Sequence, residues 1–251
     1  MSDQESFMSH LIELRQRLVR AVGAVLALFA VFIFWPGSGT IYDFLAAPLM
    51  TALPEGAKMI ATGVITPFMV PMKVTALAAF VVALPYVLYQ AWAFVAPGLY
   101  EHEKKLAAPL VVASSALFVA GMAFCYYIVF GRVFAFIHDF APKSITPAPD
   151  IEAYFGFVIT MFIAFGVTFE IPIVVIVLVR MGIVSVEKLR DARPYVIVGA
   201  FVVAAVVTPP DVLSQFMLAL PMCLLYEAGL FLARFISVRQ KEPSDYKAES
   251  G

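Results

Sequence analysis

Residues 153–179 read AYFGFVITMFIAFGVTFEIPIVVIVLV, and Glu170 is the only charge among them. The run exceeds the ~20 residues that, at about 1.5 Å each, cross a ~30 Å hydrocarbon core. A carboxylate at that depth costs roughly 2.5–3.5 kcal/mol to insert, so it normally faces a protein interior or a polar cavity. Pro172 follows two residues later and removes the N–H that would satisfy the carbonyl of Thr168. A buried acid beside a loosened turn predicts a polar notch inside a membrane-spanning helix.

Composition extends this reading to the whole chain. The sequence is 62% hydrophobic and 14% charged, with a mean hydropathy of +0.92. Soluble domains sit near 45–50% apolar and about 25% charged. The chain therefore reads as an all-α integral membrane protein. A net charge of −1 supplies no basic stripe for nucleic acid. Cys125 and Cys223 both fall in apolar segments and read as small packing residues. No disulfide framework, metal-ligand spacing or cofactor motif is present, so neither a metal nor a cofactor is expected. Residues 1–17 carry three acids, and no small-x-small site precedes Trp35-Pro36. The first apolar run is thus expected to be retained, not cleaved as a signal.

Charge-free apolar runs predict six spans: about 18–35, 74–96, 106–131, 153–179, 194–208 and 212–233. Residues 1–239 read as a single polytopic membrane domain and 240–251 as a flexible cytoplasmic tail. The long connections, 36–73 and 132–152, are rich in proline and glycine. Of the 17 Lys and Arg, only Lys58, Lys73, Arg132 and Lys143 lie on the loops of one side. The positive-inside rule then puts both termini in the cytoplasm. The last two spans look short. Pro209-Pro210 ends the fifth, and Asp211 is placed to cap the sixth. Such a hairpin is re-entrant, or it consists of two true short helices that thin the bilayer; its apolar tip favours the latter. No convincing internal repeat is present.

Polar residues mark the candidate sites. Phe7, Leu11, Leu14 and Leu18 fall at helical spacing, with His10, Glu13 and Arg17 on the other side, which predicts an amphipathic helix before the first span. Its bland role is a surface helix in which Glu13 pairs with Arg17 at i, i+4. Loop 97–105 contains His102-Glu103, but Leu106 stands where a zinc-protease motif needs its second histidine. A sharper reading joins Glu13 and Glu103 as two interfacial carboxylates that grip paired arginines, since guanidinium binds carboxylate in a bidentate fork. Pro85 and Pro221 predict kinks. Tyr86, Tyr89, Trp92, Phe94 and Tyr100 read as an interfacial aromatic belt. Gln90, Gln215 and Glu227 read as interhelical hydrogen-bonding groups. No nucleotide-binding or hydrolase motif occurs, so no enzyme is expected.

The run from His10 through Glu13, Arg15 and Arg17 to Leu18 resembles the N-terminal signature of the TatC family, the receptor subunits of the twin-arginine protein translocase. Similar blocks are Thr66-Pro67-Phe68, Tyr89 to Tyr100, His102-Glu103, Ala164 to Pro172, Arg193-Pro194-Tyr195, Thr208 to Gln215, and Tyr226-Glu227. Together they cover roughly residues 8–235. The resemblance implies a six-span, N-in/C-in, concave glove-like bundle in the bacterial inner membrane. It implies signal-peptide binding by Glu13 and Glu103, with Arg15, Arg17 and Phe94 around them. Glu170 matches an intramembrane carboxylate, Gln215 a span-six polar position, Asp211 a turn position, and Pro48 and Pro85 structural prolines. The implied partners are the single-span subunits TatA and TatB, docking on helices five and six. Twin-arginine signal peptides of folded precursors, further copies of the chain and the lipid bilayer complete the list, and nucleic acid has no place in it. Lys104-Lys105 departs from the arginines many relatives carry there. The rival readings are a proton-coupled secondary transporter titrating Glu170 and a purely structural scaffold.

Overall fold

The computed structural model describes residues 2–52, 59–95, 104–140, 148–208 and 211–238. In chain order the helices are α1 (Ser2–Phe32), α2 (Ser38–Ala52), α3 (Thr66–Val95), α4 (Lys104–Phe124), α5 (Phe130–Phe140), α6 (Ile151–Phe169), α7 (Ile171–Arg180), α8 (Val186–Asp191), α9 (Arg193–Val207) and α10 (Val212–Val238). No strand occurs among the described residues, and the one extended pairing is a bridge between Ile60 and Asp150. The fold is all-α, as expected. The proposed tail at 240–251 lies outside the described residues.

Among the described residues, five helical stretches are long and apolar enough to cross a membrane: His10–Ala47, Thr66–Phe94, Ala108–Phe136, Ile151–Arg180 and Val212–Phe235. The sixth expected span is α9, whose 15 residues give about 22 Å of helix. Of the expected pair of short helices only α9 is short, because α10 runs for 27 residues. Its ladder continues past Glu227 and Arg234, which hydropathy alone reads as the edge of the span.

The other boundaries differ for the same reason. Hydropathy marks the part of a helix that belongs in hydrocarbon, whereas good helix formers such as Glu, Arg, Gln and Leu carry the ladder on into water. The amphipathic segment 7–19 and the first span are therefore one helix, α1. The expected loop 36–73 contains α2, and the front of the expected loop 132–152 is α5.

Residues 1–163 form one compact unit. Helix α3 is its centre, burying Val70, Val74, Leu77 and Leu84 at helical spacing, and α1, α2 and α4 all pack on it. Between α1 and α2 the chain breaks at Trp35, whose φ −150° and ψ 123° are extended. Gly37 follows at φ 94°, a left-handed conformation that a side chain would strain. A wide turn at Cys125–Val129 joins α4 to α5. Aromatic rings fill the space around it, with Phe130 within 6 Å of Phe134, Phe157 and Phe162. Trp92 is a correction to the expected aromatic belt. Tyr86 and Tyr89 are exposed, but Trp92 is buried, and its indole N–H donates to Ser114 Oγ at 2.8 Å.

Residues 164–251 form the second compact unit. The break between α6 and α7 falls at Glu170, where the N–H of Glu170 bonds back only three residues, to Val167 at 3.1 Å. Pro172 sits in the first turn of α7, so the loosened turn expected at that position is present. Helix α10 packs along α7 around Val175, Val179, Val186, Tyr226, Leu230 and Ala233. The approach is closest at Gly229, where an added Cβ would lie 2.9 Å from Pro172 Cα and 3.1 Å from Val175 Cβ. Backbone cannot yield as a flexible side chain does, so Gly229→Val is expected to push α7 and α10 apart at about 1–3 kcal/mol. A lowered thermal midpoint of the detergent-solubilised protein measures this, and an unchanged midpoint would show that the helices separate freely.

Candidate functional site

Helix α1 presents His10, Glu13 and Arg17 at i, i+3 and i+7, and the last turns of α3 present Gln90 and Phe94 at i, i+4. Residues so spaced share a helix face. The two faces meet. Arg17 Nε and Nη2 donate to Glu13 Oε1 at 2.8 and 2.6 Å. The third nitrogen, Nη1, reaches Gln90 Oε1 at 3.4 Å. Next to them the His10 ring stacks on Phe94, with centroids 4.5 Å apart and planes 25° apart.

Exposure grades this cluster. Gln90 is 5% exposed, the Arg17 side chain 23% and the Glu13 side chain 40%. A buried amide thus lies within loose reach of a half-buried guanidinium, which holds a carboxylate open to solvent. Arg15, on the same helix, is exposed, and no contact places it in the cluster. Glu103 and Tyr100 lie outside the described residues, as do the side chain of Pro48 and the whole of Pro209-Pro210. Pro48 belongs by its backbone to α2, and Pro85 lies within an unbroken α3.

The second unit carries its own polar groups. Glu170, 9% exposed, is buried as expected. Asp211 caps α10 by accepting the Ser214 N–H on Oδ1 at 2.7 Å. Gln215 Nε2 donates to the Phe201 carbonyl of α9 at 3.2 Å. Arg193, at the start of α9, pairs with Glu227 of α10 at 2.6 Å. Gln90, Gln215 and Glu227 each link two helices, which is the role expected of them. No His, Cys, Asp and Glu cluster able to hold a metal occurs among the described residues.

One polar group escapes the sequence reading. Asp150 caps α6: its Oδ1 accepts from the N–H groups of Glu152 and Ala153 at 2.9 and 3.0 Å. Its Oδ2 takes the Thr62 N–H at 3.1 Å and the Thr62 hydroxyl at 2.8 Å. Glu152 pairs with Lys73 at 3.0 Å and accepts from Thr66 Oγ1. The Ile60 N–H donates to the Pro149 carbonyl, and the Ile151 N–H to that of Ile60. Segment 59–66 is thus strapped to the start of α6. An aspartate just ahead of an apolar run signals a cap, but partners nearly 90 residues away leave no local trace.

Membrane-length helices whose polar side chains tie one helix to the next, with no catalytic array among the described residues, define an α-helical, multi-pass integral membrane protein. Residues 9–221 match the family model "TatC: Sec-independent protein translocase protein (TatC)". The chain is 48% identical over 242 residues to the Sec-independent protein translocase protein TatC of Haemophilus influenzae, covering 96% of this chain and 94% of that one. It is 47% identical over 235 residues to the protein of the same name from Escherichia coli K12, covering 94% and 90%. A solved crystal structure of the twin arginine translocase receptor TatC superposes with a TM-score of 0.79 at 36% identity, covering 90% of this chain and 98% of that one. The chain belongs to the TatC family of protein-translocase components.

The strap responds to acid in a defined direction. Donation from the Ala153 N–H, then from the Thr62 hydroxyl and N–H, holds Asp150 below the usual carboxylate range. A depressed folded value stabilises the strap above the ordinary aspartate pKa of about 3.9, and that contribution is lost as pH falls through the folded value. Asp150→Ala is expected to lower the amide hydrogen-exchange protection factors at Thr62, Glu152 and Ala153 at neutral pH, relative to the unaltered chain. Unchanged exchange would show that the strap closes without the carboxylate.

Proposed function

We propose that this chain is the receptor core of a twin-arginine translocase, reading the paired arginines of signal peptides on folded precursors. The observation that carries the reading is the Glu13 carboxylate, set partly open to solvent on the N-terminal half of α1 beside the stacked His10–Phe94 rings. A carboxylate so placed takes a guanidinium in a charge-assisted fork, and an aromatic face next to it suits the same flat cation. Glu103, on the connection that follows α3, supplies the second carboxylate of the pair, and Arg15, Arg17 and Phe94 complete the surface.

On this reading the chain forms a single six-span membrane domain in the bacterial inner membrane, with both termini and the residue 240–251 tail in the cytoplasm. The lysines and arginines of the N-terminal region and of residues 180–193 support that orientation. TatA and TatB dock on the α9–α10 hairpin, further copies of the chain assemble beside it, and transport draws on the proton gradient. Pro48, Pro85 and Asp211 shape the fold, while Glu170 and Gln215 act within the membrane.

Peptide binding by variants tests the receptor role. Glu13→Ala and Glu103→Ala are each expected to weaken binding of a twin-arginine peptide by roughly 1.5–3 kcal/mol, the worth of a hydrogen bond to a charged group. The unaltered protein is expected to refuse a twin-lysine peptide. Fluorescence anisotropy on the purified protein measures both, and wild-type affinity in both variants would remove the receptor reading.

A further inference from the structure

We propose that Arg17 is a resident guanidinium that occupies the Glu13 seat until an arginine of the ligand takes it, and that this exchange makes the site prefer arginine to lysine. The inference rests on the reading of Glu13 as a ligand carboxylate. Its starting point is the manner of the Arg17 contact. The edge formed by Nε and Nη2 faces Glu13, and both nitrogens land on Oε1. Oε2 has no partner among the described residues, so an arriving cation finds a carboxylate that is half occupied and already neutralised.

Neutralisation separates the two candidate ligands. A lysine ammonium is a compact, strongly hydrated point charge, and it gains little from a carboxylate whose charge is balanced. To displace Arg17 it would exchange a two-nitrogen contact for a single one. An arginine replaces the lost contact in kind, with two nitrogens on the oxygen Arg17 leaves, and its planar fork can reach Oε2 as well. The exchange also needs somewhere for the displaced guanidinium to go, because a half-buried cation left without an acceptor resists displacement.

Gln90 provides that place. Its amide is buried on α3, and its Oε1 lies 3.4 Å from Arg17 Nη1, beyond the usual 2.7–3.2 Å. The contact is therefore loose when Arg17 sits on Glu13 and has room to tighten when Arg17 leaves it. The pair is partly open to solvent, at 23% for Arg17 and 40% for Glu13, so water and salt weaken it and it is replaceable. A weak resident partner with a fallback acceptor acts as a selectivity filter, set against ligands that lack the fork.

The test compares twin-arginine and twin-lysine peptides on the purified full-length protein in lipid nanodiscs. Arg17→Gln is expected to raise twin-lysine affinity about tenfold and to shrink the arginine-to-lysine ratio by at least that factor. Gln90→Leu is expected to weaken the twin-arginine peptide several-fold while leaving the twin-lysine peptide unbound. Should Arg17→Gln lose its fold, Arg17→Lys, which keeps the charge without the fork, is expected to narrow the ratio in the same direction. A ratio unchanged in every Arg17 variant, or weaker arginine binding with no gain for lysine, overturns the exchange. Glu13→Ala separates the two levels. If it binds twin-arginine peptide like wild type, the reading of Glu13 as a ligand carboxylate falls and the exchange with it. If it binds weakly while the Arg17 variants keep their ratio, the exchange alone falls.

Discussion

Hydrocarbon offers no hydrogen bonds, and that single deprivation explains most of what the chain does. A backbone N–H or carbonyl left bare in the bilayer costs several kcal/mol, so the spanning stretches are helical apart from the breaks at Trp35 and Glu170. Side chains obey the same rule. The hydroxyls of Thr75, Ser115, Thr160 and Thr208 each donate to a carbonyl four residues back on their own helix. The Trp92 indole finds Ser114, and the Gln215 amide finds the carbonyl of Phe201. Where the ladder is interrupted at Glu170, its N–H bonds three residues back to Val167, and Pro172 offers no N–H to the carbonyl of Thr168.

Polar chemistry is consequently pushed to places where helices end or cross. At the meeting of α1 and α3 a buried glutamine supports an arginine, which holds a glutamate facing water. At the meeting of α9 and α10, Arg193 and Glu227 do similar work. Nothing in these arrangements resembles a nucleophile with its base. They are bracing geometries, each tying one helix to the next.

The spans were legible because hydropathy reports directly on burial in lipid, and the 153–179 run needed no context. The i, i+4 pairing of Glu13 with Arg17 was legible for a local reason, since one turn of helix brings the two together. Helix ends were less so: Ser38–Ala52 looked like loop because Gly39, Asp43 and Pro48 weaken its apolar signal, yet packing on α3 makes it helical. Trp92 looked like a belt residue until its partner on α4 was in place. The tie from Arg17 to Gln90 spans 73 residues, and that from Thr62 to Asp150 spans 88. Contacts of that range are products of tertiary packing, and no periodicity encodes them.

The strap at Thr62, Lys73, Asp150 and Glu152 combines two kinds of bond with different tempers. The Lys73–Glu152 pair is half exposed on both sides, at 48% and 54%, so dissolved ions screen it over a Debye length of about 8 Å at physiological ionic strength and about 3 Å at 1 M. The backbone seam between Ile60 and residues 149–151 joins neutral groups, which electrolyte leaves alone. In dilute surroundings both clamps hold the segment; in brine the ion pair weakens, while the seam and the bonds from Thr62 to Asp150 remain. The stiffness of this end of the molecule is therefore graded by the saltiness of the compartment it faces, without any part of the helical framework having to move.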